Sequence, residues 1–292
     1  MTNLLITGKT QLLGVIGYPV EHSLSPLMHN AALAELGLDF IYLPFPIAPQ
    51  NLQVAIAGLA AIKVVGFSVT IPHKQAIMPL LSEISPVAQA IGAVNTVTWK
   101  NGQWVGTNTD IEGFIAPLQT RYQQNWSQKV AVILGNGGAA RAVVAGCHQL
   151  GFAEIHVVGR NSQKLEEFRH SWENSPIGDK LQVQTWDDLA TLLPHANLLV
   201  NTTPVGMYPH VNDSPVQLAD MEKISPGAIA YDLIYTPSPT QFLQQAEQQG
   251  AITIDGLEML VQQGVAALKI WLQLETIPVD VMGEALRSHL GL

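Results

Sequence analysis

Lys74 ends the segment Gly66-Phe67-Ser68-Val69-Thr70-Ile71-Pro72-His73-Lys74, which begins as a strand and stops at a proline that cannot donate to a sheet ladder. A lysine just past the carboxyl end of a strand stands where α/β sheets place their ligands. Its ammonium can donate to an oxygen on which negative charge develops. Asp110, at the end of Gly106-Thr107-Asn108-Thr109-Asp110, offers a carboxylate suited to hold such an ammonium. A second group of residues points to a different chemistry. Gly135-Asn136-Gly137-Gly138-Ala139-Ala140 follows directly on the apolar run Val130-Ala131-Val132-Ile133-Leu134. Residues without a Cβ let the backbone approach a pyrophosphate, and the next helix offers free N–H groups and the positive end of its dipole. Strand, glycine turn and amphipathic helix in succession read as a dinucleotide site.

Gly159-Arg160-Asn161 closes the next strand, where a dinucleotide fold reads the adenosine ribose. An Asp or Glu at that place accepts bonds from a free 2′-hydroxyl. This chain has Arg160 instead, with Lys164 one helical turn further on. Two cations suit a 2′-phosphate, so NADP(H) is the expected cofactor. The bland alternative is a surface arginine near a helix start, a position the dipole disfavours for a cation.

Ser23, Ser25, Thr70, Asn95 and Asp110 all fall at or just beyond expected strand ends, where they can converge on one crevice. Each also has a local reading: Ser25 as an N-cap before Pro26, Asn95 as part of a hairpin, Asp110 as a helix cap. Spacing does not separate the two readings. The nine histidines show no metal-ligand spacing, so no metal is expected. His73 is expected to point away from Lys74. Cys147 falls on the apolar face of a helix, as a core residue.

Positioning these groups requires alternating strands and helices. Strands are expected at 12–17, 40–46 and 64–70, with helices at 25–36 and 51–61 between them, which implies a parallel sheet. A helix from Lys74 to 81 and another begun by Ser85-Pro86 come next. Segments 94–100 and 103–107 flank Asn101-Gly102, a strong hairpin signal, and a helix over 111–124 follows. The second half reads as strands at 130–134, 155–158, 198–201, 229–233 and 251–254, with a helix capped by Ser162 running to about 172 and another at 240–249. Helices at 258–274 and 278–290 close the chain. The expected fold class is α/β with two domains. An N-terminal α/β substrate domain covers 1–112, with 257–292 packing back on it, and a Rossmann-type doubly wound dinucleotide-binding domain covers 113–256.

Length and composition bound the function classes. A chain of 292 residues can bury two cores, and 47% hydrophobic against 13% charged residues excludes a disordered protein. No apolar run reaches the ~18 residues of a membrane span, and the N-terminus lacks a leader pattern. The net charge of −9 argues against a nucleic-acid partner. A single cysteine excludes an intramolecular disulfide and suits the cytoplasm. The expected partner is a small molecule, and the expected assembly a monomer or homodimer.

The whole constellation resembles the shikimate dehydrogenase family. Gly17-Tyr18-Pro19-Val20-Glu21-His22-Ser23-Leu24-Ser25-Pro26 is similar to its opening signature, Val69-Thr70-Ile71-Pro72-His73-Lys74 to its lysine motif, and Gly92-Ala93-Val94-Asn95-Thr96 to its asparagine motif. Gly106-Thr107-Asn108-Thr109-Asp110, Asn201-Thr202-Thr203-Pro204-Val205-Gly206-Met207 and Tyr231-Asp232-Leu233-Ile234-Tyr235 resemble three further ones, and Gly256-Leu257-Glu258-Met259-Leu260-Val261-Gln262-Gln263-Gly264 the last.

The resemblance implies reduction of 3-dehydroshikimate to shikimate by NADPH. It implies catalytic roles for Lys74 and Asp110, with Ser23 and Ser25 on the substrate carboxylate and Asn95, Asp110 and Gln263 on its ring hydroxyls. Thr70 and Tyr235 complete the implied substrate contacts. The implied cofactor positions are Gly135, Asn136, Gly137, Gly138 and Ala139, then Arg160 and Lys164, with Thr202, Leu233, Met207 and Gly256, the last two near the nicotinamide. Two places depart from the family pattern. Ser68 stands where Asn is usual, which is expected to leave a side-chain bond unmade, and Gly159 and Asn161 flank Arg160 where Asn and Thr are common. The rival readings are a quinate/shikimate dehydrogenase using NAD, opposed by Arg160 and Lys164, and a silent regulatory paralogue, opposed by the intact Lys74 and Asp110. A methylenetetrahydrofolate dehydrogenase shares the plan, but its folate motifs are not found here.

Overall fold

The computed structural model describes residues 6–122 and 124–292. Residues 1–5, read above for a leader, and Gln123, across which a helix is expected to run, lie outside them. The chain divides into two compact units: residues up to Thr109 together with Val261–Leu292, and Asp110–Leu260.

In the first unit the chain runs through β1 (Gln11–Gly17), α1 (Ser25–Glu35), β2 (Phe40–Pro46), α2 (Leu52–Ala61), β3 (Gly66–Val69), α3 (His73–Ala76), β4 (Glu83–Ile84), α4 (Pro86–Ile91), β5 (Thr96–Lys100) and β6 (Gln103–Thr107). Its sheet has the order β2-β1-β3-β5-β6-β4. β1 is parallel to both β2 and β3 and is buried from Leu13 onward, as a strand covered on both faces must be. The three strands expected to be parallel are so, and the sheet as a whole is mixed. β5 runs antiparallel to β3 and to β6; the pairing with β6 is the expected hairpin, in which Asn101 and Gly102 take positive φ (52° and 80°) and turn the chain straight back with Lys100 opposite Gln103.

Two local expectations do not hold. The helix expected to reach residue 81 stops at Ala76, and a 3₁₀ turn, Met78–Leu80, follows; Pro79 there lacks the N–H an α-helix needs. Ser25 is not the N-cap of α1. That place is Leu24, which has no oxygen to cap with, while Ser25 lies inside the helix and buried. β4, two residues long, leaves no readable pattern in the sequence.

The chain returns to this unit through α11 (Gly256–Leu272), most of which belongs to it, and α12 (Val279–Leu290). α12 lies along α1. Trp271, buried on α11, donates its indole N–H to the carbonyl of Val97 at 2.9 Å, so the helix is anchored to β5 by apolar burial and a hydrogen bond together.

The second unit holds a six-stranded sheet of β7 (Val130–Leu134), β8 (Glu154–Gly159), β9 (Leu181–Thr185), β10 (Leu198–Asn201), β11 (Ile229–Asp232) and β12 (Ile252–Ile254), in the order β12-β11-β10-β7-β8-β9. Every pairing is parallel. The order reverses between β7 and β10, and in such sheets ligands bind outside the carboxyl ends at that point. Around it run α5 (Asp110–Arg121), α6 (Gly138–Leu150), α7 (Ser162–His170), α8 (Leu189–Leu192), α9 (Leu218–Met221) and α10 (Gln241–Gln248). β9 is unanticipated, since its glutamines break the apolar run of a sheet strand. Ser162 is not the cap of α7, which ends at His170; Asn161 is the N-cap, and its side chain accepts from the backbone N–H of Lys164 at 2.9 Å.

Candidate active site

The first unit contains Ser23, Ser25, Thr70, Lys74, Asn95 and Gln263. The stretch beyond β3 is clamped on both sides by backbone hydrogen bonds. Thr70 N–H donates to Ile16 at 2.9 Å, Val69 N–H to Asn95 at 2.7 Å, and Val94 N–H to Lys74 at 2.8 Å. Thr70, Lys74 and Asn95 are thereby brought together. The side-chain oxygen of Asn95 accepts from the backbone N–H of Thr109 at 2.8 Å and from the hydroxyl of Thr96 at 2.9 Å. Asn95 thus fixes the residue that directly precedes Asp110. Ser23 and Ser25 are joined by a bond of 3.3 Å from the Ser25 N–H to the Ser23 hydroxyl. Gln263 lies on α11 next to Gly264, where an added Cβ would come within 2.5 Å of Met28 on α1. His73 is buried, with Nε2 2.6 Å from the carbonyl oxygen of Ile47, so its ring is engaged away from any reacting centre.

Ser68 does not lack a partner. Its hydroxyl accepts from Tyr42, buried on β2, at 2.8 Å. Tyr42 in turn stacks on His29, ring centroids 4.2 Å apart. His29 is fully buried, with no hydrogen-bond partner for either ring nitrogen among the described residues, and burial pushes its pKa down to about 3. It is a neutral packing residue. Sequence reasoning missed the Tyr42–Ser68 pair because a strand separation of 26 positions carries no local signal.

Asp110, Tyr235 and all the expected cofactor positions belong to the second unit. Asp110 opens α5, half-buried in its first turn. Burial raises the Tyr235 hydroxyl above its ordinary range, which keeps it a donor. At the end of β7, Gly135 has φ +99°, and a Cβ there would meet the Thr202 hydroxyl at 2.9 Å; only glycine fits. Thr202 is itself held by a 2.7 Å bond to the carbonyl of Leu134. The N-cap of α6 is Gly137, with no side chain to spend on the first-turn N–H groups, and a Cβ on Gly137 or Gly138 would meet nothing within 4 Å. Open space before uncapped N–H donors fits a pyrophosphate. Arg160 and Lys164 are both exposed, and Asn161 between them is occupied as a helix cap, so the pair fits a 2′-phosphate.

Comparison with known proteins agrees with this geometry. A family model described as the shikimate dehydrogenase substrate binding domain matches residues 15–97, and one described as the shikimate 5'-dehydrogenase C-terminal domain matches 256–287. A shikimate dehydrogenase (NADP(+)) of Trichormus variabilis is 78% identical, covering 99% of this chain and 100% of the relative. A solved shikimate dehydrogenase in complex with NADP+ superposes with TM-score 0.89 at 38% identity, covering 98% of both chains. The shikimate 5-dehydrogenase of Listeria monocytogenes, solved with shikimate and NAD, gives TM-score 0.88 at 34% identity over 96% of this chain and 98% of that one. Fold and site together define an α/β oxidoreductase with a separate dinucleotide-binding unit. The chain belongs to the shikimate dehydrogenase family.

Proposed function

We infer that this chain catalyses the reversible, NADPH-dependent reduction of 3-dehydroshikimate to shikimate, on the route to the aromatic amino acids. The observation that carries it is the whole-chain match at 78% identity to an NADP(+)-type shikimate dehydrogenase. The match of residues 15–97 to a substrate-binding family model supports reading the first unit as the substrate unit. Asp110–Leu260, with its parallel sheet, is then the cofactor unit.

When bound, NADPH supplies the hydride. The chain's own residues do the rest. Ser23 and Ser25 hold the substrate carboxylate, while Thr70, Asn95, Gln263 and Tyr235 orient the ring through their polar atoms. As negative charge grows on the ketone oxygen, the Lys74 ammonium donates its proton there, and Asp110 serves the same step as its carboxylate partner. The clamped backbone around Thr70, Lys74 and Asn95 supports this role, because a donor fixed in advance costs no reorganisation when the charge appears. The reading includes a cytoplasmic location, in keeping with a lone buried cysteine whose thiol burial keeps protonated.

The test is consumption of reduced cofactor with 3-dehydroshikimate, run with NADPH and NADH and repeated with dehydroquinate. Turnover of 3-dehydroshikimate with a marked preference for NADPH is expected. Faster turnover of dehydroquinate with NADH would assign the quinate activity instead, and no turnover of either would leave a regulatory binder.

A further inference from the structure

The carboxyl ends of β10, β11 and β12 carry a buried polar cluster that the proposed chemistry does not use. Asp232, fully buried at the end of β11, accepts three hydrogen bonds. Its Oδ1 takes them from Asn201 Nδ2 and from the backbone N–H of Ile234, both at 3.0 Å, and its Oδ2 takes one from the Thr240 hydroxyl at 2.7 Å. Asn201, fully buried at the end of β10, spends its remaining capacity on the loop that follows it. Nδ2 donates to the carbonyl of Val205 at 3.2 Å, and Oδ1 accepts from the N–H and the hydroxyl of Thr203 at 3.0 and 2.7 Å. Asp255, after β12, accepts from the N–H of Leu257 at 3.1 Å and from Ser238 at 2.6 Å. Gly256 completes the join. Its N–H donates to Ile234 at 3.1 Å, and a Cβ there would lie 2.2 Å from the carbonyl oxygen of Leu233.

A carboxylate buried among neutral donors is an expensive way to stabilise a fold. Most of these bonds fasten a loop to its own strand end, and three cross between neighbouring segments: Asn201 to Asp232, Ser238 to Asp255 and Gly256 to Ile234. We propose that Asn201 and Asp232 are positioning residues, forming a clasp that holds the loops after β10, β11 and β12 in one arrangement and so presents Thr202, Leu233, Met207 and Gly256 to the cofactor, the last two at its nicotinamide end. The proposal rests on the reading of those four positions as cofactor contacts. The clasp works through the geometry of its acceptors. An amide at position 232 keeps the oxygen that serves Asn201 and Ile234, and can donate to Thr240 in place of accepting from it.

The test is NADPH affinity, by fluorescence titration and steady-state kinetics, in Asp232→Ala, Asp232→Asn and, as a control on the assigned contacts, Met207→Ala. Asp232→Ala is expected to raise the Kd and KM for NADPH about tenfold, the loss of one to two well-made hydrogen bonds, with the KM for 3-dehydroshikimate within about twofold. Asp232→Asn is expected to restore the NADPH Kd to within about twofold of the wild type. An unchanged Kd in Asp232→Ala overturns the proposal, as does an equal loss in Asp232→Asn. If Met207→Ala leaves NADPH binding unchanged, the contact assignment fails; if it weakens binding while Asp232→Ala does not, the clasp alone fails. Should Asp232→Ala not fold, Thr240→Val, which frees one carboxylate oxygen, is expected to weaken NADPH about threefold, and an unchanged Kd there overturns the proposal.

Discussion

Lys74 sits in the first turn of a four-residue helix, with its carbonyl bonded to Val94 and its neighbour His73 buried under Ile47. The backbone of the proposed proton donor is therefore fixed on both sides. Lys74→Ala is expected to lower kcat by about 10²–10⁴ with KM changed only a few-fold, since the bond lost strengthens in the transition state; a raised KM at unchanged kcat would remove Lys74 from the chemistry. Asp232 makes a prediction about stability. Burial raises its pKa from 3.8 to about 6, with Asp255 adding to the effect and the bonds from Thr240, Ile234 and Asn201 opposing it. The folded state holds this proton more tightly than the unfolded chain, so the contribution is complete below pH 3.8 and is lost as pH rises through about 6. Comparing urea unfolding of the wild type and Asp232→Asn, the wild type should lose about 2 kcal/mol relative to the variant between pH 4 and pH 8. A pH-independent difference would count against the raised pKa. Tyr42→Phe strips the Ser68 hydroxyl of its donor inside the core, and a loss of about 1–2 kcal/mol is expected by the same method.

Among the elements, α7 and the loop before it separate helix building from ligand binding. Asn161 caps the helix while Arg160 and Lys164 stay exposed beside it. Replacing both cations by alanine should raise the KM for NADPH about tenfold and leave that for NADH unchanged, since only the 2′-phosphate distinguishes the two. Equal weakening of both cofactors would mean that the pair acts on something other than that phosphate. This element also shows how close local reading comes. Ser162 and Asn161 are both good caps, and which one serves depends on the extended backbone at Asn161 (φ −115°, ψ 109°), a value adjacent residue types do not announce.

For the molecule as a whole, two units with separate sheets predict separate responses to ligands. NADPH at about 100 times its Kd should add about 2.7 kcal/mol of stability. Hydrogen exchange should place the protection from NADPH within Asp110–Leu260 and most of that from shikimate within the other unit, with Asp110 and Tyr235 the exceptions; the reverse distribution would overturn the assignment of the units.

Much of this was legible beforehand for a physical reason. Strands such as Val130–Leu134 are buried on both faces and read as apolar runs, Gly135 marks a turn that needs a positive φ and leaves a Cβ no room, and the Asn101-Gly102 pair writes its own hairpin into local dihedral preferences. The same local signals exposed Lys74, the Gly135–Gly138 turn and the Arg160–Lys164 pair. What stayed hidden depends on partners distant in sequence. β5 pairs antiparallel with β3, Ser68 is satisfied by a tyrosine on another strand, and Asn201 meets Asp232 because parallel β10 and β11 end side by side, with Thr240 at the head of α10 closing on them. Residue types constrain the conformations within a few positions of themselves, so the chain alone told which groups can do chemistry. Which of them meet, and which buried polar atoms hold them still, is a matter of register between strands, and that is settled when the sheets pack.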